Sequence, residues 1–63
     1  MKDWRVLIWC EAKNRPYTFE QEYIAYCFTK VEAEMRALDW AKKEFGDSWN
    51  FDIIEGETFI LDE

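Results

Sequence analysis

Two neighbouring stretches, Trp4-Arg5-Val6-Leu7-Ile8-Trp9-Cys10-Glu11-Ala12 and Tyr17-Thr18-Phe19-Glu20-Gln21-Glu22-Tyr23-Ile24-Ala25-Tyr26-Cys27-Phe28, decide how this chain folds. In the first, Trp4, Val6, Ile8, Cys10 and Ala12 point one way and Arg5, Leu7, Trp9 and Glu11 the other, the two-residue period of a strand. The second is rich in Tyr, Phe, Thr and Ile, which suit a pleated, half-buried surface. Between them Lys13-Asn14-Arg15-Pro16 is a turn cluster, and Pro16 cannot donate to a central ladder. A loop at those four positions sets Ala12 opposite Tyr17, Cys10 opposite Phe19, Ile8 opposite Gln21 and Val6 opposite Tyr23. One face is then mostly apolar, while Arg5, Leu7, Trp9 and Glu11 share the other with Thr18, Glu20, Glu22 and Ile24. A bulge near Gln21-Glu22 would shift Tyr26 and Phe28 at the far end.

Outward from the hairpin, Thr29 to Phe45 reads as a helix. Thr29-Lys30-Val31-Glu32 fits a capping box, in which the Thr29 hydroxyl accepts from the amide of Glu32 while Glu32 reaches back. Gly46 supplies the stop, with Lys42 and Lys43 in the last turn, where the dipole favours cations. At about 100° per residue, Val31, Met35, Leu38 and Phe45 form one stripe flanked by Ala41, the expected sheet-facing side. Trp40 falls nearly opposite, near Ala33, Arg36 and Glu44, and is expected outside. Glu34 lands near the edge of the buried arc. Residues 49–55 alternate again, Glu55-Gly56 suits a turn, and residues 57–62, centred on Thr58 to Leu61, offer a short further strand. The expected fold is α+β: an antiparallel sheet of three or four strands, β-β-α-β with an added β, and one helix packed on one face. Residues 1–63 form one small globular domain.

The chain has 63 residues, 49% of them hydrophobic and 19% aromatic, and its charge is -6. The length excludes two domains, and the aromatic content excludes a disordered tail. No apolar run approaches the roughly 20 residues that span a bilayer. The five apolar residues Val6 to Cys10 are too few for a secretory signal. With Cys10 and Cys27 the only cysteines and no CxxC pair, a cytoplasmic protein with reduced thiols is expected.

Candidate chemistry is sparse. No histidine is present, which removes the commonest metal ligand and general base. Asp47, Asp52, Glu55 and Glu57 miss the spacing of a calcium loop. Neither cysteine has a neighbouring base or cationic cluster to activate it. Ser48 stands alone, and Gly46 and Gly56 make no phosphate loop. The expectation is no enzyme, no cofactor and no metal. Direct nucleic-acid binding is also not expected, because Trp4, Arg5, Trp9, Lys13 and Arg15 are the only aromatic and basic grouping and the overall charge has the wrong sign.

Surplus apolar surface and surplus charge are the positive signals. One helix covers one sheet face, which leaves Leu7, Trp9, Ile24 and Ile54 on the other. Trp40 is a second contact candidate, since Trp is enriched at binding hot spots and Ala33 and Ala37 beside it permit close approach. Residues 1–30 carry Lys2, Arg5, Lys13, Arg15 and Lys30 against Asp3, Glu11, Glu20 and Glu22, a net of +1; residues 31–63 carry three bases against ten acids, a net of -7. Glu20 and Glu22 at alternate strand positions lie roughly 6–7 Å apart, comparable to neighbouring phosphates on an extended single strand. Leu7, Trp9, Glu20, Glu22, Ile24, Trp40, Asp52, Glu55 and Glu57 are therefore the candidate contacts for a protein partner with a basic surface, or for a homodimer.

In size, acidity, aromatic content and missing catalytic residues, the whole chain resembles the small phage-encoded inhibitors of bacterial defence, anti-CRISPR proteins among them. No motif carries the resemblance, and it transfers no functional residue. It implies a protein that acts in the host cytoplasm by occupying the basic surface of a nucleic-acid-binding or nuclease partner. The near-neutral first half departs from that picture. The competing expectation is an oligomeric protein that sequesters a small molecule or nucleotide in a pocket lined by Trp and Tyr.

Overall fold

A computed structural model describes residues 1–61 of the chain. Its elements are β1 (Lys2–Ala12), β2 (Thr18–Cys27), α1 (Lys30–Phe45), β3 (Trp49–Ile53) and β4 (Phe59–Ile60). All pairing is antiparallel. β1 is central, with β2 along one edge and β3 and β4 sharing the other. The fold is thus α+β, a four-stranded sheet with one helix on one face.

The hairpin has the expected register: Val6 opposite Tyr23, Ile8 opposite Gln21 and Cys10 opposite Phe19. It runs without a slip from Lys2 opposite Cys27 to Glu11 opposite Thr18, so no bulge at Gln21-Glu22 shifts the far end. Tyr26 accordingly stays on the face of Ile24. The Ala12 amide donates to the Tyr17 carbonyl at 2.9 Å, and Tyr17 donates to Arg15 at 2.8 Å, which closes the turn.

The helix begins and ends on local chemistry. Thr29 Oγ1 accepts from the Glu32 amide at 3.2 Å. Glu32 Oε1 reaches one residue beyond the capping residue, accepting from the Phe28 amide at 3.0 Å. At the other end Gly46, at φ 84°, donates to the Lys42 carbonyl at 2.9 Å. That conformation costs an L side chain energy and glycine little. Gly56, at φ 82°, makes the turn between β3 and β4.

The expected helical stripe holds at Leu38, Ala41 and Phe45 and fails at Val31 and Met35. Ala33, Ala37 and Ala41 are the fully buried positions of α1, while Val31 and Met35 are 65% and 64% exposed. Leu38 and Phe45 are half-buried against the core. The reason is volume. Trp4, Phe19, Trp49, Phe51 and Ile53 rise from the sheet around the sealed Val6, Ile8, Cys10 and Cys27. Over so bulky a floor, the helix can approach closely only through its smallest side chains. Phe19 lies edge-on to Trp49 at 5.2 Å and to Phe45 at 5.1 Å, the T-shaped geometry that aromatic quadrupoles favour. Trp4 Nε1 donates to the Cys27 carbonyl at 3.2 Å, which fixes the other end of the floor.

Glu34 finds a partner across the layers. It is half-buried beside the core and accepts from Thr58 Oγ1 at 2.7 Å, tying α1 to the approach to β4. Trp40 is exposed as expected, but it lies over the β2 side of the core and not opposite the sheet. Its ring rests on Tyr23 at 5.4 Å. The Tyr23 hydroxyl donates to Glu44 Oε1 at 2.8 Å. Burial, and then the adjacent Glu44 carboxylate, hold the Tyr23 phenol well above its ordinary range.

Two outcomes test this packing. Ala37→Leu should lose about 1–3 kcal/mol in urea unfolding through overpacking, whereas Met35→Ala should stay within about 0.5 kcal/mol. The second concerns pH. The folded-state Tyr23 value is raised, so its contribution is intact below the ordinary value of 10.0 and is lost as pH rises beyond it. Melting temperature of the wild type should therefore fall more steeply above that pH than that of Tyr23→Phe; equal slopes would contradict the assignment.

Candidate interaction surface

The pleat sends even-numbered β1 residues under the helix and odd-numbered ones to the opposite face. On that face Trp9 stands at the centre of three strands, opposite Glu20 on β2 and Asp52 on β3. Leu7 lies opposite Glu22, and Arg5 lies between Ile24 and Phe59. Leu7 and Trp9 are half-buried by these neighbours, while Ile24, Tyr26 and Phe59 are exposed. Six of the sequence candidates, Leu7, Trp9, Glu20, Glu22, Ile24 and Asp52, therefore share one continuous surface.

Charge on this surface is one-sided. Asp3, Glu11, Glu20, Glu22 and Asp52 occupy it, and Arg5 is the one cation on its described strands. Arg5 is already engaged. Its Nε contacts Glu22 Oε2 at 2.7 Å, its Nη1 lies 3.6 Å from Glu57 Oε1, and its guanidinium sits 5.0 Å from the Phe59 ring centre. Nη1 also donates to the Glu57 carbonyl at 3.3 Å. The Glu22 hydrogen bond leads the upward displacement of its already high pKa. The division of charge by sequence halves is thus not a spatial one. Glu11, Glu20 and Glu22, from the near-neutral half, join Asp52 from the acidic half.

The remaining candidates lie elsewhere. Trp40 belongs to the helix side of the sheet, and Ala33 and Ala37, expected to let a partner approach it, are core residues. Glu55 is exposed in the β3–β4 turn, and Glu57 reaches the surface only through Arg5. Asp62 and Glu63 lie outside the described residues. Sequence patterning missed Phe59, since a two-residue strand has no period to read. It also missed the exposed group Phe28, Val31 and Met35, which lines a shallow groove of about 580 Å³ along α1.

The basic and aromatic grouping is dispersed: Trp4 faces the helix, Trp9 the opposite side, and Arg15 covers Tyr17 and Trp49 at 5.4 and 5.7 Å. Cys10 and Cys27 are free and buried, and burial pushes the Cys10 thiol up, away from the reactive thiolate. Among the described residues no group of three His, Cys, Asp or Glu side chains is placed to hold a metal ion. A cavity of about 280 Å³ opens between the hairpin tip and Trp49, lined by Ala12, Asn14, Arg15, Ser48 and Trp49. No protein-family model, curated protein or solved structure matches the chain.

Arg5 should be the organiser of one end of the surface. Arg5→Met should lower the melting temperature only slightly, as the loss of exposed ion pairs does. It should also speed hydrogen exchange at the Leu61 amide, which bonds the Asp3 carbonyl at 2.9 Å. Unchanged exchange at Leu61 would show that β4 is held without Arg5.

Proposed function

We propose that this chain is a small inhibitory or regulatory binding protein that docks, through the open face of its sheet, on a basic surface of another protein. The observation that carries the reading is Trp9 flanked in register by Glu20 and Asp52, beside Leu7, on a face where Arg5, the one cation on the described strands, is already paired. A half-buried tryptophan provides a large apolar anchor at small ordering cost. The surrounding carboxylates steer a cationic partner and reject an anionic one. Like charges gathered on one face repel and do nothing for the fold, so solubility or a partner accounts for them.

The resemblance drawn from the sequence narrows the partner to a nucleic-acid-binding or defence protein whose phosphate-binding groove the carboxylates would fill. Glu20 and Glu22, two residues apart on one strand face, provide the repeated negative charge such a groove recognises. On this proposal the protein acts in the cytoplasm and without turnover. Among the described residues no helix is long and apolar enough to cross a membrane.

Affinity capture from a bacterial lysate with wild type, Trp9→Ala and Asp52→Lys as parallel baits tests the reading. The expected result is a partner held by the wild type, released steeply with added salt, and weakened about 30-fold or more by Trp9→Ala. Equal retention by all three baits, or retention insensitive to salt, would overturn it.

A further inference from the structure

The outer edge of β2 is bare. Among the described residues β2 pairs only with β1, and over ten residues it carries no Pro, Gly, Lys or bulge to blunt that edge, the charges along it being Glu20 and Glu22. The phase of its free groups follows from the hairpin. Ala12 bonds to Tyr17, so Phe19, Gln21, Tyr23 and Ala25 turn their amides and carbonyls toward β1. Those of Thr18, Glu20, Glu22, Ile24 and Tyr26 consequently point outward.

We infer that this edge pairs with the same edge of a second copy, antiparallel and centred on Tyr23, to make one continuous sheet. Two features select that occupant and that register. A two-fold axis at Tyr23 opposes Glu22 to Ile24 and Glu20 to Tyr26 of the other copy, so four of the five outward-facing residues find bonded partners within the strand, and Thr18 alone falls opposite Phe28 beyond its end. Shifting the centre to Glu22 would instead set carboxylate directly against carboxylate, a destabilising cross-strand pair. Centring on Ile24 would oppose Glu20 to Phe28, whose amide is already taken by Glu32. The remaining diagonal approach of the two Glu22 side chains is softened by Arg5, which holds each one at 2.7 Å.

The helical layer agrees. α1 packs over β1, β2 and β3 alike, so pairing through β2 would leave the two helices about three strand spacings, roughly 14 Å, apart. That is wider than the 8–10 Å of directly packed helices, and long side chains are needed to fill the gap. Trp40, resting on Tyr23 and half exposed, lies at the axis. Arg36 and Glu44 stand four positions to either side of it, so antiparallel helices bring Arg36 of one copy level with Glu44 of the other.

Sedimentation across a concentration series, with residue-resolved hydrogen exchange at each end of it, tests the inference. A dimer of twice the 7.7 kDa chain mass should form as concentration rises. Glu20, Glu22, Ile24 and Tyr26 amides should then become protected together. A synthetic chain N-methylated at Ile24 keeps every side chain and the whole β1–β2 ladder, and it should stay monomeric with an unchanged circular dichroism spectrum. Trp9→Ala should dimerise like the wild type, which separates this edge from the open face. A monomer at every concentration, a dimer whose even-numbered β2 amides exchange freely, or a dimer that survives N-methylation would each overturn the inference.

Discussion

β1 is hydrogen-bonded along both of its edges, and every other element takes its place from that strand. Double pairing fixes the direction of each β1 side chain, because neither edge can slip without breaking the other. Val6, Ile8 and Cys10 are thereby sealed under the helix. By the same alternation Arg5, Leu7 and Trp9 face away from it. The core and the candidate surface are the two sides of one constraint, and a change of register by a single residue would exchange them.

The helix adapts to the sheet and not the reverse. Large aromatic groups on the sheet would hold a leucine-faced helix at a distance and leave gaps between them. The alanine row lowers α1 onto that floor, and the half-buried Leu38 and Phe45 close the side toward β3. Burying a large apolar side chain is worth about 1.5–3 kcal/mol, so a chain this short depends heavily on its few wide rings. The cost of the arrangement is that Val31 and Met35, good helix-face residues by pattern, remain in water.

The hairpin register, both helix caps and the order of elements were legible because each depends on neighbouring residues: an alternating run, a Thr three before a Glu, a Gly after two lysines. The face of the helix was not. Hydrophobicity alone ranks Val31 and Met35 above alanine, whereas the available depth between layers favours Ala33, Ala37 and Ala41. For the surface, Leu7, Trp9, Glu20, Glu22 and Ile24 follow from strand alternation, and they are brought together as the pattern implies. Asp52 and Phe59 join them through pairings with β1 from distant parts of the chain, and no local period encodes such a pairing. Trp40 was correctly placed in solvent but for the wrong geometry, because its angle was measured from a stripe that included the exposed Val31 and Met35.

The two ends of β1 close at different stages. Beside the hairpin tip, β3 meets Glu11 and Ala12 within reach of the Phe19–Phe45–Trp49 aromatic group. At the opposite end, Trp4 and Arg5 wait for Phe59 and Ile60, almost the whole chain later. Loop-closure entropy rises with the length enclosed, and contacts between distant segments are the slow ones to form. Hairpin and helix are thus joined by contacts close in sequence, while the far end of the first strand's second edge is closed by only two register pairs, Trp4 with Ile60 and Arg5 with Phe59, the most thinly held margin of the sheet.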